Sequence, residues 1–137
     1  MRTITTLVCA TALVLIGGAA WACSCQTWKS ASDQLGFAEV AFVGRAVSTV
    51  PDSTEGREGF VVTEFVVSRT LKGRHSAVQR IAHAPGARVA TCGMDFVQSR
   101  DVLVLAKVAR SQGSLPYTSA CARPQFALRD FERAAAH

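Results

Sequence analysis

The sequence contains no asparagine and therefore no N-glycosylation sequon. It also lacks a His-Glu-x-x-His pair, a Gly-x-Ser-x-Gly turn and a glycine-rich phosphate loop, and His75, His83 and His137 show no metal-ligand spacing. Asp95 has no second carboxylate close in sequence with which to share acid-base chemistry, so we assign it a role in a turn. We therefore expect a protein that is not an enzyme and has no cofactor of its own.

Long hydrophobic runs are also missing. The apolar stretch from Leu7 to Ile16 is about half of the roughly 20 residues that a membrane-spanning helix needs. It follows Arg2, and Gly17-Gly18 and then Ala20-Trp21-Ala22 come after it, which is the order of a signal peptide with a small-x-small cleavage site. The pattern predicts export with cleavage after Ala22.

The predicted cut divides the chain into a signal peptide (1-22) and one mature domain (23-137) that is secreted, extracellular or periplasmic, with no transmembrane span. Two other outcomes stay open. Cleavage after Ala20 leaves Trp21 first, and a lipid on Cys23 would make an anchored envelope protein, although bacterial lipoproteins normally have Leu at the position of Ala20.

Size and charge limit the partners. The 137 − 22 = 115 mature residues suffice for one module with a modest core, and we expect a monomer. Without Arg2, 14 basic residues face 10 acidic ones, a net charge of +4 that suits weak attraction to polyanions and does not indicate nucleic-acid binding. Arginine outnumbers lysine 12 to 3 in an alanine-rich chain, which indicates a bacterial gene of high GC content.

Four cysteines remain after Cys9 leaves with the signal peptide, namely Cys23, Cys25, Cys92 and Cys121. An even number in an oxidising compartment predicts two disulfides. A bond between the first two would close a strained ring, so each is expected to reach a distant partner, and two pairings remain possible.

Most of the mature sequence has the composition of β-strands. Runs rich in β-branched and aromatic residues are separated by turn clusters such as Pro51-Asp52-Ser53. Five strands are predicted: Phe37 to Val50, Phe60 to Leu71, Val78 to Ala84, Arg100 to Arg110 and Leu115 to Cys121. Strands at this spacing without long intervening helices indicate an all-β sandwich or small barrel.

Two short helices are expected beside the sheet. One lies around Trp28 to Leu35, capped by Thr27 or Ser30, and the other runs from Gln125 to Ala135. Trp28 and Phe42 are interpreted as residues that seat the first helix on the sheet.

A segment without acidic residues extends from Phe65 to Met94 and contains His75, His83 and five cationic side chains. These five are Arg69, Lys72, Arg74, Arg80 and Arg88. They suggest a strip for an anionic glycan or envelope polymer. The alternative is a solvated strand edge that its charges protect from aggregation.

The order of motifs resembles one family. A mature Cys-Ser-Cys terminus is followed by AEVAFVGRAVS, TEFVVSRTLKG, ATCGM, DVLVLAK and TSAC, and this series resembles the N-terminal inhibitory domain of tissue inhibitors of metalloproteinases. The resemblance covers nearly all of residues 23-130. It implies a netrin-like domain, a five-stranded OB-fold-like Greek-key barrel with one or two short flanking helices. It also implies the disulfides Cys23 with Cys92 and Cys25 with Cys121.

The same resemblance implies inhibition of a zinc metalloprotease by the terminus. A catalytic zinc has three protein ligands and an open position, and the α-amine and carbonyl oxygen of Cys23 would occupy it together. The amine must lose a proton first, since an ordinary α-amino pKa is about 7.7-8.0. Ser24 would enter the specificity pocket, Cys25 would help to hold the terminus, and Ala90 and Thr91 would form a second contact ridge.

Two functions of different class are therefore expected from the sequence. The first is a secreted metalloprotease inhibitor that acts through its terminus. The alternative is a binding module of the same fold that uses the basic strip for a polyanion or a protein partner, with the terminal disulfides purely structural.

Overall fold

The computed structural model describes residues 23-110 and 114-137, so the predicted signal peptide and its cleavage site lie outside the described residues. Four strands and two helices form the fold, with single 3-10 turns at Val89–Thr91 and Ala120–Ala122. In chain order the elements are α1 (Ala31–Phe37), β1 (Val40–Pro51), β2 (Val61–Lys72), β3 (Val78–His83), β4 (Asp101–Ala106) and α2 (Leu128–Ala135).

The strands form one antiparallel sheet in the order β3-β2-β1-β4. β1 and β2 are each 12 residues long and make the central hairpin, which has three register irregularities, for example between Val43 and Gly44. Gly44 suits this place, because a Cβ there would lie 2.7 Å from the carbonyl oxygen of Val66. The prediction of a mostly β fold with two short helices is confirmed.

The expected fifth strand is not formed within the described residues. Of the segment from Leu115 to Cys121, only Tyr117 makes β-bridges, one with Lys107 and one with Ala82. Pro116 has no N–H to donate, and the 3-10 turn at Ala120–Ala122 follows directly, so the ladder cannot extend in either direction. The number of strands in the sheet is four.

Several predicted boundaries were wrong for local reasons. Ser30, one of the two predicted caps, caps α1, its Oγ accepting from the Asp33 amide at 3.1 Å. The helix therefore begins at Ala31 rather than Trp28 and extends to Phe37, which was expected to open β1. β4 ends at Ala106 rather than continuing to Arg110. α2 begins at Leu128 instead of Gln125, whose amide is hydrogen-bonded elsewhere, to Gln34.

The core has two clusters, one on each face of the sheet's centre. Phe42, Phe65 and Ile81 are at most 2% exposed and form the centre of one cluster. The other cluster joins the helices to the sheet through Leu35 and Phe131. Within the described residues, no helix is both long and apolar enough to cross a membrane.

Candidate functional site

Two disulfides hold the segment of residues 23-25. Cys23 is bonded to Cys92, with the Cα atoms 5.6 Å apart, and Cys25 is bonded to Cys121, with the Cα atoms 4.9 Å apart. These are the two pairs that the family resemblance implies. They anchor the segment 23-25 at two points that are distant in sequence.

The two bonds lie side by side. The backbone amide of Ala120 donates to the carbonyl oxygen of Cys92 at 2.8 Å, and Cys92 Sγ lies 4.0 Å from Cys121 Sγ. The loop before β4 and the turn at Ala120–Ala122 thus form one support under the terminus. Ser24, between the two anchored cysteines, is exposed to solvent.

The loop of residues 85-95 places Ala90 and Thr91 on the surface beside this support. The carbonyl oxygen of Arg88 accepts from the amides of Thr91 and Gly93 and from the Thr91 hydroxyl, at 3.0-3.2 Å. A Cβ at Gly93 would lie 1.9 Å from the carbonyl oxygen of Pro85, so only glycine fits there. The Cys-Gly dipeptide is therefore required by the fold of the loop.

Asp95 closes the same loop. Its Oδ1 accepts a hydrogen bond from the Gly86 amide at 2.9 Å, and the Met94 amide donates to the Ala84 carbonyl oxygen at 3.0 Å. The side chain thus acts within a turn.

The β1–β2 loop packs against the loop of residues 85-95. Nη1 of Arg88 donates to the carbonyl oxygen of Glu58 at 3.3 Å, and the guanidinium lies against Gly59. The loop is itself ordered by Asp52, whose Oδ1 accepts from the Thr54 amide at 3.0 Å and whose Oδ2 lies 3.5 Å from Arg57 Nη1.

Two carboxyl groups of the β1–β2 loop have altered proton affinities. Hydrogen bonding by Thr54 lowers the pKa of Asp52 most, against an opposing effect of desolvation, and the charge of Arg57 lowers it further. Backbone amides of Glu58 itself and of Gly56 lower the pKa of Glu58. The environment of both groups therefore favours the charged form.

Two glutamines, which the sequence did not single out, fix the chain after Cys25. The Gln125 side chain accepts from the Trp28 amide at 3.0 Å and donates to the Gln26 carbonyl oxygen at 2.8 Å. Gln34, 2% exposed, donates to the Arg123 carbonyl oxygen and accepts from the Gln125 amide. No local sequence signal marks this network, because the partners of Gln34 are 89 and 91 residues away.

The cations of the predicted basic strip have different surroundings. Arg69 forms an ion pair with Glu132. The ammonium of Lys72 donates to the carbonyl oxygens of Leu35 and Gly36, at the end of α1. Arg74 and Arg80 are exposed, and Arg88 is bound to the β1–β2 loop as described above.

The histidines of the described residues have structural neighbours. His83 is 2% exposed, and its ring shares hydrogen bonds with Thr63 Oγ1 at 2.7 Å and with the Ala84 carbonyl oxygen at 3.0 Å. His75 Nδ1 lies 3.2 Å from Thr70 Oγ1. No cluster of three or more His, Cys, Asp or Glu that would suit a metal ion occurs in residues 23-110 and 114-137.

No family model matches the sequence, and no curated protein matches it.

Proposed function

We propose that the processed protein is a secreted inhibitor of zinc metalloproteases, with the terminal Cys23 as the group that meets the target's zinc. One observation carries the proposal: Ser24 is exposed between two cysteines that are both bonded to residues distant in sequence, on one compact support. A purely structural staple needs one such bond, whereas two bonds flanking a single residue immobilise a short segment for presentation.

The mechanism follows from the ligand chemistry of a protease's zinc. The zinc holds a water at its fourth position, and the Cys23 α-amine and carbonyl oxygen, on one Cα, replace that water as a bidentate ligand. The Cys23 thiol is engaged with Cys92, so it is not the ligand. The disulfides remove conformational freedom before binding, which reduces the entropic cost of association.

The neighbouring surface supplies the remaining contacts. Ser24 enters the protease's specificity pocket, and its small side chain is tolerated by many pockets and fills none of them. Ala90 and Thr91 are exposed beside Cys92 and form a second contact ridge along the target's cleft.

The proposed fold is an OB-fold-like Greek-key barrel of the netrin-like class, in which the short segment around Tyr117 takes the place of the fifth strand. Two hydrogen-bonded contacts support it. The Ala82 amide, on edge strand β3, donates to the Pro116 carbonyl oxygen at 2.9 Å, and Tyr117 exchanges hydrogen bonds with Lys107, just after the opposite edge strand β4. The short segment around Tyr117 thereby connects the two edges of the sheet, the position of a closing strand.

Cleavage after Ala22 and export are part of the proposal, because zinc chelation requires an unblocked amine on Cys23. The two disulfides are compatible with an oxidising compartment such as the periplasm or the extracellular space.

The decisive test compares the processed, oxidised protein with a version that carries one extra Ala before Cys23, on a panel of zinc metalloproteases. The extension turns the amine into an amide and removes the chelate, while the disulfides and the fold remain. We expect inhibition by the first protein and its loss, by at least about a hundredfold, in the second. Equal inhibition by both would exclude chelation, and no inhibition by either would leave the terminus with a structural role.

A further inference from the structure

A second concave site lies behind the N-terminal segment. It is a pocket of about 230 Å³ between the chain after Cys25, the end of α1, the end of β4 and the segment that follows Tyr117. Its lining includes Trp28, Phe37, Leu105, Lys107, Tyr117 and Ala122. None of them belongs to the proposed protease-binding ridge.

Aromatic rings form the sides of the pocket. The rings of Trp28 and Phe37 are in contact, with centroids 4.9 Å apart and planes at 46°. Phe37 remains 50% exposed and Tyr117 43% exposed. Large aromatic side chains that line one depression and keep so much surface in water provide contact area for a flat apolar ligand.

The two buried polar side chains in the pocket wall, Gln34 and Thr118, are already satisfied. Both amide atoms of Gln34 are used, by Arg123 and Gln125, and the Thr118 hydroxyl donates to the Leu105 carbonyl oxygen at 2.7 Å. The interior therefore favours a hydrocarbon ring rather than a sugar or a nucleotide, whose hydroxyl groups would find few partners there.

One cationic side chain, Lys107, lines the pocket. The ammonium of Lys107 lies 4.0 Å from the centroid of the Phe37 ring, which fixes it over the aromatic face. Among the described residues no carboxylate lies within ion-pair distance of it. An anion on the ligand would complete its coordination from the solvent side.

The volume limits the ligand to one ring. An apolar cavity of about 150 Å³ holds benzene, so a pocket of about 230 Å³ has room for a benzene ring with a short side chain.

We propose that this pocket binds a small aromatic monocarboxylate, with the ring between Phe37 and Tyr117 and the carboxylate on Lys107. The proposal is independent of protease inhibition, since none of these residues takes part in zinc chelation. Trp28 lies in the wall and reports directly on occupancy.

The test follows the Trp28 indole N–H resonance of the ¹⁵N-labelled, oxidised protein during titration with 3-phenylpropionate. The neutral control is 3-phenylpropanamide, which has the same ring and chain length. We expect saturable shifts of Trp28 and Tyr117 and an affinity for the acid about tenfold above that for the amide, as a charge-assisted hydrogen bond provides. Unchanged resonances at about 5 mM acid, or equal affinities for acid and amide, would overturn the proposal.

Two substitutions separate the contribution of the lysine charge to ligand binding from the contribution of the space in the pocket. Lys107→Met should reduce the affinity for the acid to that for the amide, whereas Lys29→Met, the removal of a lysine outside this pocket, should change neither. Ala122→Phe should fill the pocket and abolish binding of both compounds, with the melting midpoint showing that the fold is intact. A preference for the acid that survives Lys107→Met would show that another group binds the carboxylate and refute the assignment.

Discussion

The Sγ atoms of Cys92 and Cys121 lie 4.0 Å apart, although they belong to different disulfides and are 29 positions apart in the chain. The hydrogen bond from the Ala120 amide to the Cys92 carbonyl oxygen holds the two backbones together at the same place. The N-terminal segment is thus bonded twice to one compact support, and the two disulfides should differ little in their effect on stability.

The first prediction concerns the loss of one disulfide. We expect the double substitution Cys25→Ser with Cys121→Ser to lower the free energy of unfolding by about 3-4 kcal/mol, because with the Cys23–Cys92 bond intact this bond closes a loop of roughly 30 residues. The double substitution Cys23→Ser with Cys92→Ser opens a loop of about the same size, since Cys25–Cys121 remains, and should cost about as much. Urea unfolding of both variants provides the measurement, and a loss below about 1 kcal/mol in either would contradict it.

Ser24 offers a test of specificity that leaves the fold untouched. Because its side chain is exposed, Ser24→Leu should leave the melting midpoint unchanged. Under the proposed mechanism the larger apolar side chain should favour proteases with deep apolar pockets and weaken binding to narrow ones, by about tenfold in each direction. Ser53→Leu, at an exposed position in the β1–β2 loop that is not among the proposed contact residues, is the matched control. Identical inhibition profiles for all three proteins would place Ser24 outside the contact.

The strands were predictable from the sequence because their signals are local. β2 and β3 begin and end within one residue of their predicted limits, since alternating β-branched residues and the flanking turns define them without reference to distant contacts. The pocket and the glutamine network were not predictable in this way. They depend on Gln34, Lys107 and Gln125, which meet only after the chain has folded.

The predicted fifth strand shows a different limit of prediction from the sequence. Apolar and polar residues in the segment from Leu115 to Cys121 fit a strand, but only Tyr117 forms bridges, because Pro116 lacks a donor and a 3-10 turn begins at Ala120. Whether a short segment joins a ladder depends on the geometry of the two edges it must reach, which no local pattern encodes. The exposed Ser24 and Thr91, by contrast, were identified only through the family resemblance.

Substituting alanine at two glycines should change the stability of the protein in opposite directions. Gly93→Ala should destabilise the protein by several kcal/mol or prevent folding, because the new methyl group would collide with the Pro85 carbonyl oxygen. At Gly36, within α1, a Cβ meets nothing within 4 Å. Gly36→Ala should therefore stabilise the protein by about 0.5-1 kcal/mol. Thermal unfolding distinguishes the two, and a stable Gly93→Ala protein would mean that the loop is arranged differently.

Asp52 should make stability depend on pH at the acidic end. Its pKa is lowered in the fold, chiefly through hydrogen bonding by Thr54, so the unfolded chain binds the proton more readily. The contribution of Asp52 is therefore complete above the unfolded-state pKa, near 3.8, and is lost as the pH falls through the folded-state value. Asp52→Asn should be less stable than the parent at pH 6, and the gap should narrow below about pH 4.

Urea unfolding between about pH 6 and pH 3 measures the difference in the free energy of unfolding between the parent and Asp52→Asn. Glu55→Gln, at an exposed position in the same loop, controls for the change of net charge. A difference between parent and Asp52→Asn that stays constant with pH would show that the carboxylate's charge is not what stabilises the loop.

The last prediction concerns how the segment after Cys25 is held. Gln125 bonds to the backbone of Trp28 and Gln26 through its side chain, so Gln125→Ala removes both bonds and leaves the backbone hydrogen bond to Gln34 in place. We expect a loss of about 1-2 kcal/mol in the free energy of unfolding, as two partly exposed hydrogen bonds would provide.

A local measurement distinguishes this positioning role of Gln125 from a general loss of stability. Hydrogen exchange at the Trp28 amide should accelerate more than exchange in β1 or β2, because that amide loses its acceptor while the sheet keeps its ladder. Gln26→Ala is the matched control, since the bond at Gln26 uses its backbone carbonyl, and it should leave the Trp28 amide protected. If Gln125→Ala accelerated exchange uniformly, the glutamine would stabilise the whole domain rather than position the chain that leads from the disulfides into the aromatic pocket.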